Sequence, residues 1–194
     1  MERTSGLIRQ RGASLIEVLV TILILSIGLL GVAGLQSRLQ MSEMEAYQRS
    51  QALILLSDMA NRVATNRNAA ASYATAAGTS SPMGAGATCT TSTASRKDID
   101  LGEWCNALQG AAESITSGGA TTSVGAMVGA RGCVESLGSN EYMITVAWQG
   151  LGPISAPPTS VACGAGQYNG ASGSSCVSDL CRRVVTTIVR VADL

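Results

Sequence analysis

Three groups of residues in this chain have the types and spacing to do chemistry. The first is Arg11-Gly12-Ala13-Ser14-Leu15-Ile16-Glu17, where a basic, glycine-ended stretch runs into an apolar segment carrying one carboxylate. No residue from Val18 to Leu35 is charged. A helix from Ala13 to Leu35 rises about 1.5 Å per residue and covers roughly 35 Å, against a hydrocarbon core of about 30 Å. An ionised carboxylate in that setting costs roughly 2.5 kcal/mol or more, so Glu17 needs a partner. The second group is six cysteines, Cys89, Cys105, Cys133, Cys163, Cys176 and Cys181, all beyond the apolar segment. The third is Asp98, Asp100 and Glu103 within Arg96-Lys97-Asp98-Ile99-Asp100-Leu101-Gly102-Glu103-Trp104.

Each group has a bland and a sharp reading. Clustered carboxylates can do acid-base work or bind calcium, but the spacing is not that of an EF-hand, and a solvated turn beside Cys105 is the expectation. The chain has no histidine, which removes Ser-His and Cys-His activation and the commonest general base. No enzyme activity and no cofactor are expected. The cysteines lack a Cys-x-x-Cys pair and any histidine to complete a zinc site, so disulfides are expected. Six cysteines allow 15 pairings. The favoured arrangement closes Cys89 on Cys105 and shares the other four among the strand ends and the loop 164–175. Each bridge contributes roughly 2–4 kcal/mol, which a head short of large side chains needs.

The amino-terminal stretch is not an ordinary secretory signal. The apolar run is too long, it contains Glu17, and the small-residue junction Gly12-Ala13 precedes it. An uncleaved signal anchor, held with Arg3, Arg9 and Arg11 on the cytoplasmic side, is the simpler alternative. For Glu17 the simpler alternative is an acid near a helix start, favoured there by the macrodipole by up to about 1 kcal/mol. Removing residues 1–12 takes three arginines and one glutamate from 13 basic and 13 acidic residues, leaving 10 against 12. With no basic run and no Phe, the chain has no nucleic-acid footprint.

These groups require elements to hold them. No proline interrupts residues 13 to 81, and the periodicity predicts one helix from about Ser14 to about Asn66, with Leu53, Leu56, Met59 and Val63 as its buried stripe. Gly28, Gly31 and Gly34 mark close helix packing or a segment that can unwind. Asp58 and Arg62 sit four apart, a pair worth a few tenths of a kcal/mol. Residues 69–95 have loop composition. Tyr142, Ile144, Val146 and Trp148 alternate in the best strand, 141–148; 184–191 is a second and 131–136 a third. A long helix followed by antiparallel strands gives an α+β fold, a small sheet with disulfide-braced loops on which the helix lies. The expected organisation is 1–12 leader, 13–36 membrane helix, 37–68 amphipathic helix, and 69–194 globular head.

Gly12, Ala13, Glu17 and the following apolar helix resemble the class III leader of type IV pilins. The resemblance implies cleavage after Gly12 by a prepilin peptidase, methylation of Ala13, and an assembly role for Glu17 at the fifth mature position. Major subunits of that family usually begin with Phe, whereas minor ones vary. In a filament the Glu17 carboxylate could then pair with the free amino terminus of a neighbour, neutralising two costly charges. The segment 52–66, with its Asp58-Met59, Arg62 and Asn66, the Tyr142-to-Trp148 strand and Cys181-Arg182-Arg183 are similar to the PilV family of minor pilins. That similarity implies a single-pass inner-membrane protein with a periplasmic head, later part of the pilus filament at the cell surface. Its implied partners are other minor pilins, the major pilin and a PilY-type tip adhesin, and its implied role is in priming assembly, twitching and adhesion. The competing readings are a pseudopilin of a type II secretion system and an uncleaved membrane-anchored binding protein.

Overall fold

The computed structural model describes residues 14–74, 82–111, 113–125 and 127–192. Gly12 and Ala13 lie outside the described residues. The chain separates into two compact units, Met1–Glu43 and Met44–Leu194. Helix α1 (Leu15–Thr65) contributes to both. It begins where the Ser14 carbonyl accepts from the Glu17 and Val18 amides, at 3.0 and 3.2 Å, and it runs unbroken through Gly28, Gly31 and Gly34. No unwinding occurs at those glycines, and a Cβ built on any of them meets nothing within 4 Å.

The second unit is built on a four-stranded antiparallel sheet. Its strands are β1 (Met83–Gly84), β4 (Arg131–Gly138), β5 (Glu141–Gln149) and β6 (Arg182–Arg190), in the order β1-β4-β5-β6. The three strands expected from alternation are all present, each within two residues of the expected start. A tight turn joins β4 to β5, with positive φ at Gly138, Ser139 and Asn140 and a register shift between Ser136 and Gly138. That backbone twist suits a right-handed hairpin.

Alternate β5 residues Tyr142, Ile144, Val146 and Trp148 are buried with Val134 against Ala52, Leu56, Met59 and Val63 of α1. The buried stripe therefore corrects one expected position. Leu53 is exposed and Ala52 takes its place. At 100° per residue, positions 48, 52, 56, 59 and 63 share one narrow stripe, and Leu53 lies about 100° from its centre. The three-residue spacing from Leu56 points to the leucine, but the angle of the whole stripe selects Ala52.

Two further elements depart from the loop readings. A single 3-10 segment, Arg67–Tyr73, follows α1 and buries Ala70 and Tyr73. Residues 96–108 form helix α2 (Arg96–Leu108) rather than a solvated turn. Ser95 caps it, its Oγ accepting from the Asp98 amide at 3.2 Å, and Trp104, Cys105 and Leu108 on one face are buried. The cap and the i, i+1, i+4 apolar spacing are the signals for this helix. The hairpin formed by β2 (Ser114–Ser117) and β3 (Ala120–Ser123) turns at Gly118-Gly119, both at positive φ. Gly-Gly between Ser/Thr-rich runs is a hairpin signal that the strand reading passed over.

Helix α2 is keyed into the sheet by one aromatic ring. Trp104 is fully buried and its Nε1 donates to the Leu55 carbonyl of α1 at 2.9 Å. A Cβ at Gly132 of β4 would collide with the Trp104 ring, so only glycine at 132 lets the indole lie on the strand.

Candidate functional site

Two sites are candidates, one in each unit. The first is the start of α1. Glu17 lies in its first turn, where an acid is favoured by the helix dipole. Its side chain is exposed, as is every residue from Leu15 to Leu35. The hydroxyls of this segment are satisfied internally: Thr21 Oγ1 donates to Val18 O at 2.8 Å and Ser26 Oγ to Ile22 O at 2.7 Å. The Glu17 carboxylate makes no hydrogen bond or ion pair among the described residues. The segment is long and apolar enough to cross a membrane, and Glu17 is its one charged group from Leu15 to Leu35.

The second candidate is the carboxylate cluster. The structure places Asp98, Asp100 and Glu103 on α2 but does not turn them toward one point. Asp100 is buried, with Oδ1 held by Arg62 Nη1 at 2.8 Å and by Arg96 Nη2 at 2.9 Å. Its Oδ2 accepts from the Tyr73 hydroxyl, which in turn accepts from Asn66 Nδ2 at 2.9 Å. Glu103 takes a bond from Arg62 Nη1 at 2.6 Å, and Asp58 takes one from Arg62 Nε at 3.0 Å. Asp98 is engaged by Lys97 at 2.9 Å and by Ser92. Among the described residues no group of three His, Cys, Asp or Glu side chains could hold a metal ion.

The cluster forms a clamp. One buried carboxylate fastens α1, the 3-10 segment and α2 together. Burial works against the Arg62 charge, yet Glu103, Asp58 and Asp100 outweigh it and hold the guanidinium protonated well above its ordinary range. Burial, followed by donation to Asp100, pushes the Tyr73 phenol up. Hydrogen bonds from Lys97 and from the Ser95 cap lower Asp98. The Asp58–Arg62 pair is thus part of a network across three elements rather than a solitary surface pair. Nothing in the sequence separates Tyr73 from loop residues; its role follows only from tertiary contact.

All six cysteines are paired. Cys89 bonds Cys105, Cys133 bonds Cys163 and Cys176 bonds Cys181, closing separations of 16, 30 and 5 residues. Chain-entropy estimates for such loops are about 3, 3.5 and 2 kcal/mol. Cys133–Cys163 ties the strand β4 to the long loop after β5, and the same loop is held where Arg182 bonds Asp179, Val161 O and Cys163 O.

A family model described as the prokaryotic N-terminal methylation motif matches residues 7–33. The chain carries a type IV pilin-like prepilin signal. The match covers the basic stretch, Gly12, Ala13, Glu17 and most of the apolar helix. No curated protein and no solved structure matches the chain. The prepilin signal and the apolar helix fit a membrane-anchored, pilin-like or pseudopilin-like structural protein, of a kind processed by a prepilin peptidase and assembled with other pilins. The long helix packed through its later turns on a small disulfide-braced antiparallel sheet is a pilin-like α+β architecture.

Proposed function

We propose that this chain is a minor pilin of a type IV pilus, of the PilV kind. A prepilin peptidase cleaves it between Gly12 and Ala13 and methylates Ala13. The mature protein waits in the inner membrane with residues 13–36 as its membrane and filament-core helix and 37–68 as the amphipathic continuation. Residues 69–194 form a periplasmic head. It then joins other minor pilins and the major pilin to prime assembly and to present a tip complex with a PilY-type adhesin, serving twitching and adhesion. It catalyses no reaction and needs no cofactor.

One observation carries the reading. A prepilin motif matched over residues 7–33 runs into an apolar helix segment, 15–35, whose one charged group is Glu17, without a side-chain partner among the described residues. Pairing that carboxylate with the amino terminus freed at Ala13 of a neighbour neutralises two charges that are expensive in an apolar bundle. It also fixes the axial register of the incoming subunit. The PilV-like segments and the cysteine-rich head support the pilus over a secretion pseudopilus.

The decisive experiment is Glu17→Ala in the native host. The variant is expected to insert and to be processed normally, and to vanish from sheared filaments; undiminished incorporation overturns the assembly role. Deleting the chain then separates the readings by phenotype. Lost surface pili and twitching with intact protein secretion supports the pilus, and the converse assigns the chain to a secretion apparatus. Retention of residues 1–12 in the mature protein would leave only an anchored binding protein.

A further inference from the structure

The sheet ends on β6, whose only strand neighbour among the described residues is β5. The phase of that edge is set at its two ends. Val191 N donates to Asn140 O, and Cys181 O accepts from Gly150 N. Odd-numbered residues therefore turn their backbone groups toward β5, and by antiparallel alternation Val184, Thr186, Ile188 and Arg190 turn theirs outward. No hydrogen bond among the described residues reaches these outward groups.

Exposed edges are normally blunted by lysine, proline, a bulge or short length. β6 has none of these. It is nine residues long, pairs with β5 in unbroken register, and reads Val-Val-Thr-Thr-Ile-Val between its flanking arginines. Ile188 is 55% exposed. A groove of about 280 Å³ lined by Arg49, Trp148, Ile154 and Pro158 opens beside Val184 and Val185, so space is also available where the edge begins.

The same chain offers a matching donor. Among the described residues the strands of the β2–β3 hairpin pair only with each other, and β2 is exposed at all four positions. No charged residue occurs from Ser114 to Val128 of the sequence. A two-stranded ribbon is marginal alone and gains most from a third strand. Its strands are four residues each, short enough to lie within the uncharged part of β6. The hairpin is joined at one end to α2, which packs on β1 and β4, and at the other leads into β4, so donor and acceptor belong to opposite sides of the sheet.

We infer that the hairpin of one copy adds to the β6 edge of a second copy, continuing the sheet from head to head. Backbone hydrogen bonds supply the affinity, and the alternating Thr, Ile and Val side chains set the register. Because donor and acceptor surfaces differ, the contact is heterologous, and it can repeat from copy to copy along an assembly. The inference goes beyond the minor-pilin reading and holds equally for a pseudopilus.

The test uses the full chain in its native membrane. A photo-crosslinking p-benzoylphenylalanine replaces Ile188 in one tagged copy, co-expressed with a differently tagged copy lacking the label. The expected product is a mixed-tag dimer whose crosslinked peptide lies within residues 114–123 of the unlabelled copy. Thr186→Pro removes only an outward N–H, which an edge strand tolerates, so the dimer is lost while all three disulfides persist by intact mass. Thr186→Lys, a charge on the same edge, gives the same loss if the proline variant fails to fold. No mixed dimer, a crosslink to another segment or another protein, or a dimer indifferent to both substitutions overturns the inference.

Discussion

The apolar half of α1 and the head solve opposite problems with the same helix. From Leu15 to Leu35 every residue is exposed and the one carboxylate has no partner among the described residues. From Gln48 to Val63 the helix buries a narrow stripe, and its arginine is held by three carboxylates. The first region is unfinished as a monomer and the second is complete. Substitutions in the first should therefore alter assembly without touching head stability, and substitutions in the second should do the reverse.

The sharpest break of that contrast is Glu17→Ala, with near-complete loss from filaments and no change in head melting temperature. Next comes Asp100→Ala in the clamp. It strands Arg62 and the Tyr73 hydroxyl and should cost about 3–5 kcal/mol, read by denaturant unfolding, because removing one member of a buried pair leaves the other uncompensated. Replacing Cys133 and Cys163 together by alanine should cost about 3.5 kcal/mol by the loop-entropy estimate. Leu23→Ala, on the exposed helix, should leave head unfolding within about 0.5 kcal/mol of wild type.

The contrast also has a pH signature. Burial raises Tyr168, only partly countered by the adjacent Arg131, and Tyr73 is raised as well. Between the ordinary phenol value and the raised folded one, the unfolded chain has released protons that the folded head still holds. Head stability is thus full below about pH 10 and falls as pH rises through the folded values. Tyr168→Phe, which loses the 2.9 Å bond to Gly129 O, should cost about 1 kcal/mol at neutral pH and flatten the alkaline fall. One expected effect runs the other way. Thr145 is fully buried with its hydroxyl unpartnered among the described residues, so Thr145→Val should raise stability by up to about 1 kcal/mol.

How much of this was legible depended on whether a residue's role is local. The helix span and the strand at 141–148 follow from periodicity, and the exposed apolar run at 18–35 follows from composition. The Cys89–Cys105 closure was the favoured pairing and occurs in the structure. The carboxylates at 98, 100 and 103 read as a solvated turn because charge in a short window ordinarily faces water; Asp100 is buried only because Arg62, 38 residues away, arrives to meet it. Tyr73 sits in an Ala/Ser/Thr-rich stretch and is fixed by the same distant partner. Leu53 misled for a different reason, since a stripe is set by the angle of all its positions rather than by one three-residue spacing. The cap at Ser95 and the Gly118-Gly119 turn were available as local signals, and both mark elements that composition alone hid.

The three disulfides have a property beyond their bracing of the loops. Each cysteine is bonded to the next one along the chain, first to second, third to fourth and fifth to sixth. A chain oxidised progressively from its amino-terminal side meets only the correct partner at each step, since every pair can close before the next pair arrives. The order of emergence then selects one connectivity out of fifteen, and the head can mature without reshuffling wrong bonds.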